Sequence, residues 1–125
     1  MNTTQTFQKP TSHLILIIDN DPIEIRLLSE ILKPEGFRVL AALNGQDGAS
    51  RALEHSPDLV LLDLHMPGLD GHTTSKIFKS TPILADKPII FITGSNLLED
   101  KLTALAQGAV DYITKPFEAR EVVAR

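Results

Sequence analysis

Asp58-Leu59-Val60-Leu61-Leu62-Asp63-Leu64-His65-Met66-Pro67-Gly68-Leu69-Asp70-Gly71 decides the fold. Four consecutive apolar residues, Leu59, Val60, Leu61 and Leu62, read as a strand buried on both faces, the pattern of a parallel sheet with helices above and below. Asp63 follows, and Pro67 with Gly68 breaks any continuation. The carboxylate is therefore expected at the lip where strand gives way to loop, the place where open α/β sheets bind ligands. An Asx turn or a helix cap is the plainer use of an aspartate there. The ends of the other strands decide between the two.

Upstream, Leu14-Ile15-Leu16-Ile17-Ile18 is a second doubly buried strand, and it runs into Asp19-Asn20-Asp21-Pro22. Pro22 suits the first turn of a helix capped by Asp21 or Asn20. Ile23, Leu27, Leu28, Ile31 and Leu32 keep helical spacing, and Pro34 with Gly36 closes that helix. Residues 37–43 read as a strand. Residues 45–55 read as a helix with a small inner face of Ala49, Ala52 and Leu53. Downstream of Gly71 a helix runs through Thr74, Ile77 and Phe78, and a loop over 82–87 separates it from a fourth strand at 88–92. That strand ends in Thr93-Gly94-Ser95-Asn96. Leu98, Leu102, Leu105 and Ala106 mark a fourth helix stopped by Gly108, residues 109–114 a fifth strand, and Glu118 the start of a last helix. Five strands alternating with five helices predict a doubly wound parallel sheet with helices on both faces.

Residues 1–12 are polar and rich in Thr and Gln, so they are expected to form a flexible N-terminal tail on a single domain over 13–125. A chain of 125 residues with 42% hydrophobic content is large enough for one real core. Its net charge of -4 offers no basic footprint for nucleic acid or an anionic membrane. With no cysteine, disulfides, thiolate catalysis and cysteine-based zinc sites are excluded, in keeping with a reducing cytoplasm. The apolar run at 14–18 is too short to span a bilayer. A soluble cytoplasmic domain is the expectation.

Collecting the strand ends settles the choice left open at Asp63. Asp19, Asn20 and Asp21 follow the first strand, Asp63 the third, Thr93 the fourth and Lys115 the fifth. Right-handed crossovers bring all of them to one edge of the sheet. Close carboxylates repel unless a cation joins them, and hard oxygen donors without His or Cys favour magnesium over zinc. Lys115 supplies a point charge for a phosphate oxygen and Thr93 a hydroxyl donor. These are the parts that phosphoryl transfer needs. The four histidines, His13, His55, His65 and His72, are scattered at element ends and read as exposed caps, so no zinc site is expected.

The set Asp19-Asn20-Asp21-Pro22, Asp63 ahead of Met66-Pro67-Gly68-Leu69-Asp70-Gly71, Thr93-Gly94, and Tyr112-Ile113-Thr114-Lys115-Pro116-Phe117 resembles the receiver domain of two-component response regulators. The resemblance runs over 13–125 and implies a flavodoxin-like sheet of order 2-1-3-4-5. It also implies that Asp63 is the phosphoacceptor, taking a phosphoryl group from a sensor histidine kinase or phosphotransfer protein in a phosphorelay. Mg2+ would be held by Asp19, Asn20, Asp63 and the backbone carbonyl of His65. Lys115 would pair with Asp63, Thr93 would be the switch hydroxyl and Tyr112 the aromatic that follows it. The switching surface would be the fourth helix, the fifth strand and the fifth helix. The last helix stops abruptly at Arg125, and residues 112–125 resemble receivers fused to diguanylate cyclase or histidine kinase modules, so an output domain is expected beyond this sequence.

One position departs from the family pattern. Receivers carry two acidic residues where this chain has Asp19-Asn20, so a charge is missing beside the metal. Two rival readings follow from the same residues. In a haloacid dehalogenase-type phosphohydrolase, Asp19 would be the nucleophile and Asp21 the acid/base, but residues 116–125 lack the further acidic pair that family needs, and the Asp63 stretch goes unexplained. In a degenerate receiver that only binds partners, Asn20 would mark the loss of phosphorylation; retention of Asp63, Thr93 and Lys115 argues against it.

Overall fold

The computed structural model describes residues 13–64, 66, 70–93 and 111–114. Five parallel strands form one sheet: β1 Leu14–Ile18, β2 Arg38–Ala42, β3 Leu59–Asp63, β4 Ile89–Thr93 and β5 Asp111–Thr114. Their order is β2-β1-β3-β4-β5, as the resemblance implies. Three helices connect them among the described residues: α1 Pro22–Leu32, continued by a 3-10 turn at Lys33–Glu35, α2 Gly45–His55 and α3 Gly71–Ser80. The tail over 1–12 and the helices expected around 98–106 and after Glu118 lie outside the described residues. Among the described residues no helix is long and apolar enough to cross a membrane.

Side chains alternate across the sheet, and each face has its own apolar layer. Ile15, Ile17, Leu61, Ile90 and Ile92 pack on Leu28 and Leu32 of α1. Leu16, Ile18, Val60, Leu62, Ile89 and Phe91 pack on the other face with Ala52 of α2 and Phe78 of α3. The central strands are thus buried on both sides, which is why they read as unbroken apolar runs.

Local chemistry sets the helix ends. Asp21 caps α1, its Oδ1 accepting the Ile23 amide at 2.9 Å, with Pro22 behind it. Gly36 takes a left-handed φ of 97°, where a Cβ would be strained, and turns the chain into β2. Asn44 caps α2 through Asp47.

Helix faces differ from the periodic reading. Ile23 and Leu27 are 68% and 45% exposed, because α1 buries the stripe through Leu28 and Leu32, with Ile25 and Ile31 partly covered beside it. Leu53 is also exposed, at 52%. The inner face of α2 keeps Ala52, with Ala49 packed at its edge, and is completed by Gly45 and Gly48. At Gly48 a Cβ would lie 2.3 Å from Ile18 Cδ1, so α2 approaches β1 too closely for larger side chains there. Ile77 of α3 is likewise exposed, and the buried positions are Gly71, Thr74, Ser75 and Phe78. His72 is half-buried with its ring 5.6 Å from that of Phe91, so it is a packed aromatic and not an exposed cap.

At the end of the sheet where β1 and β3 begin, Asp58 ties the two strands together. Its Oδ2 accepts the Leu14 amide at 2.8 Å, its own amide donates to Leu14 O, and His13 Nδ1 lies 3.5 Å away. The Leu14 hydrogen bond holds the Asp58 carboxyl below its ordinary 3.8, His13 adds to this, and partial burial opposes it. A carboxyl with a depressed folded pKa stabilises fully above its unfolded value and loses that contribution as pH falls through the folded one. Asp58→Asn is therefore expected to lower stability at neutral pH by less than about 1 kcal/mol, since the group is half exposed. The deficit should shrink below about pH 4. Urea unfolding of both proteins at neutral and acid pH measures this, and an equal deficit at both would show that the charge is not what matters.

Candidate functional site

Strand register builds the site. Ile18 of β1 is paired with Leu62 of β3, so the next residues, Asp19 and Asp63, stand at the same level on neighbouring strands. Neighbouring strands run about 4.8 Å apart. Alternation continues the sequence Ile15, Ile17 to Asp19 and Leu59, Leu61 to Asp63, the α1 side of the sheet. Both carboxylates are buried, Asp19 with 2% and Asp63 with 6% of its surface exposed. Buried carboxylates are costly unless charge and hydrogen bonds compensate them.

Asp19 is held in place from below and from the side. Its amide donates to Ala42 O at 3.1 Å, which extends the β1–β2 ladder by one residue. Its Oδ1 accepts the Asp21 amide at 2.9 Å. Asp21 in turn gives an oxygen to the Ile23 amide, so its carboxylate serves the helix cap. Asn20 lies between them and is exposed at the lip.

β4 and β5 bring the remaining strand ends to the same edge. Asp63 is paired with Ile92, which puts Thr93 one step further along, and Thr93 is paired with Thr114, the residue before Lys115. Tyr112 is paired with Phe91 at the backbone level. Lys115 and His65 lie outside the described residues. The backbones of Asp19, Asn20, Asp63 and Thr93 thus stand at one edge of the sheet.

Asp70 and Gly71 also shape this edge. Asp70 caps α3, its Oδ1 accepting the Thr73 amide at 2.8 Å, while its carbonyl accepts both the amide and the hydroxyl of Thr74. Gly71 donates its amide to Leu64 O at 2.8 Å. The loop after Asp63 is therefore closed on itself at the residue next to Asp63. The Asp-Gly pair after Pro67-Gly68 was its only trace in the sequence, and such a pair reads as turn chemistry.

Among the described residues no group of three His, Cys, Asp or Glu is placed to hold a metal ion. Two buried carboxylates and an amide oxygen at one sheet edge are nevertheless a hard-oxygen set. They fit magnesium, which takes few protein ligands and keeps several waters.

The model of the response regulator receiver domain matches residues 15–125. The chain is 39% identical over 111 residues to the DNA-binding dual master transcriptional regulator RpaA of Synechocystis, covering 89% of this chain and 46% of that protein. It is 38% identical over 104 residues to protein PilH of Pseudomonas aeruginosa, covering 83% of this chain and 86% of that one. Among solved structures, a putative response regulator from Chloroflexus aurantiacus superposes with a TM-score of 0.86 at 32% identity, covering 90% and 93% of the two chains. The chain spans less than half the length of RpaA.

Proposed function

This chain belongs to the response regulator receiver domain family, whose members are regulatory phosphoacceptors of two-component signalling, and on that premise we propose that Asp63 is the acceptor. The observation that carries the reading is the placement of Asp63 at the end of the central strand, buried and level with Asp19. The haloacid dehalogenase reading, with Asp19 as nucleophile, is set aside by the family match over 15–125.

In the proposed reaction an Asp63 carboxylate oxygen attacks phosphorus and forms a P–O bond. The P–N bond to the donor's phosphohistidine breaks, and its electron pair stays on the imidazole. Asp19 is kept in a fixed orientation by the Asp21 amide, beside the acceptor but already committed as an acceptor of that hydrogen bond. Asp19, Asn20, Asp63 and the His65 carbonyl would hold Mg2+, which would supply charge neutralisation for the phosphoryl oxygens. Lys115 adds a cation, and Thr93 donates its hydroxyl to a phosphoryl oxygen.

Phosphorylation adds about -1.5 to -2 charges and three acceptor oxygens at one strand end. Thr93 and Lys115 gain contacts that the unmodified domain lacks, and that differential biases the surface around Tyr112 and β5. The partners proposed are a sensor histidine kinase or phosphotransfer protein upstream and an output domain downstream. The site of action proposed is the cytoplasm.

The mapping experiment is direct. Treatment with a small phosphodonor and magnesium, followed by borohydride reduction and mass spectrometry, is expected to place the label on Asp63. A label on Asp19 would overturn the assignment, and no label on any aspartate would favour a degenerate receiver that only binds partners.

A further inference from the structure

A Cβ built on Gly71 would lie 2.4 Å from the carbonyl oxygen of Asp63, 2.6 Å from Leu64 Cα and 3.0 Å from Leu64 O. All three atoms are backbone, so no rotamer change relieves the overlap. The first residue of α3 is packed directly on the peptide that joins Asp63 to Leu64. One hydrogen bond ties it there, Gly71 N to Leu64 O at 2.8 Å, and two more order the helix start itself, Thr73 N to Asp70 Oδ1 at 2.8 Å and the buried Thr74 hydroxyl to Asp70 O at 2.8 Å. Thr74 and Phe78, on the same helix face, are wholly buried, so the helix has little room to withdraw.

We infer that Gly71 is a positioning residue for phosphoryl transfer, because its lack of a side chain lets the start of α3 set the backbone of Asp63 and Leu64. The inference rests on Asp63 being the acceptor. Any side chain at 71 must push apart the helix start and the Asp63–Leu64 peptide by about 1 Å to restore ordinary contact. A displacement of that size at reacting groups can cost up to about 10²-fold in rate. The Asp63 carboxylate would move relative to Asp19, so metal binding and transfer should suffer together.

The test compares four proteins: the parent, Gly71→Ala, Asp70→Ala and Leu32→Ala. Asp70→Ala loosens the same helix start without adding bulk. Leu32→Ala destabilises the fold from the α1 side, away from residues 63–71. Thermal unfolding sets a temperature at which each is folded. There, magnesium affinity is read from amide chemical shifts, amide exchange is followed at residue 71, and the rate of acyl phosphate formation is measured at saturating magnesium.

For Gly71→Ala we expect faster exchange at residue 71, together with magnesium affinity and transfer rate each about tenfold below the parent. Asp70→Ala should move the same way by a smaller factor, and it carries the test if Gly71→Ala does not fold. Leu32→Ala should stay within about twofold of the parent on both measures although it is less stable. Parent-like affinity and rate in the residue 70 and 71 variants would overturn the inference while leaving the acceptor assignment intact. An equal loss in Leu32→Ala would overturn it as well, by tracing the effect to stability. A parent labelled elsewhere than Asp63 would remove the acceptor assignment, and the inference with it.

Discussion

Asp63→Asn is expected to take up no phosphoryl group, from a small donor or from a phosphohistidine, while folding as the parent does. The substitution keeps the shape of the side chain and replaces a charged oxygen nucleophile with a neutral amide. Because Asp63 is only 6% exposed, the site has little freedom to recruit another group into its place. The same change should raise stability in magnesium-free solution by about 1 kcal/mol, since it takes one of two like charges out of a largely buried edge. Adding magnesium should narrow that difference, because the ion favours the parent's second carboxylate. Phosphodonor labelling and denaturant unfolding with and without magnesium measure both effects. Uptake at the parent's rate would mean that the acceptor lies elsewhere.

Much of this arrangement was readable because strands buried on both faces have a plain signature. Leu14–Ile18 is apolar throughout and Leu59–Asp63 until its last residue, and the change to Asp19 and Asp63 marks the sheet edge. The parallel order then makes neighbours of residues 44 positions apart in the chain, Asp19 and Asp63, by ladder register alone. The cap of α1 was legible to within one residue, Asp21 or Asn20 ahead of Pro22, and Asp21 takes it.

Helix faces were less legible, for a reason that the sheet supplies. A helix covering one side of a sheet needs only a stripe of apolar residues, and α1 has more apolar positions than that stripe holds. Ile23 and Leu27 share helical spacing with Leu28 and Leu32 yet lie on the outside. In α2 the contact is made by glycine and alanine, whose small size reads as weak amphipathicity when it is the closeness of Ile18 that demands it. Gly71 was hidden for a related reason. A glycine beside Asp70 suggests a turn, whereas its constraint comes from a backbone eight residues earlier at Asp63. Only the fold brings those two together.

Asn20→Asp is expected to tighten magnesium binding by roughly tenfold, which corresponds to about 1.4 kcal/mol. Asn20 stands exposed at the lip, next to Asp19 and one strand away from Asp63. A unit charge about 4 Å from another contributes about 4 kcal/mol at an effective dielectric near 20, and about twice that beside a divalent ion. Several effects reduce that bound: the lip is open to water, the ion and the new carboxylate must both shed hydration, and two carboxylates already in the site repel a third. A residue of about 1 to 2 kcal/mol survives them. Without metal the sign reverses. Three acidic groups would then crowd one edge of the sheet, so the variant should unfold at a lower temperature than the parent and recover, or pass it, as magnesium is added. Asp21 does not blur the comparison, because one of its oxygens is held by the Ile23 amide at 2.9 Å in the cap of α1. Magnesium titration followed by thermal unfolding with and without the ion reads both signs in one series. Equal affinity in the two proteins would mean that residue 20 does not face the ion, and the metal site would then have to be built from Asp19 and Asp63 without it.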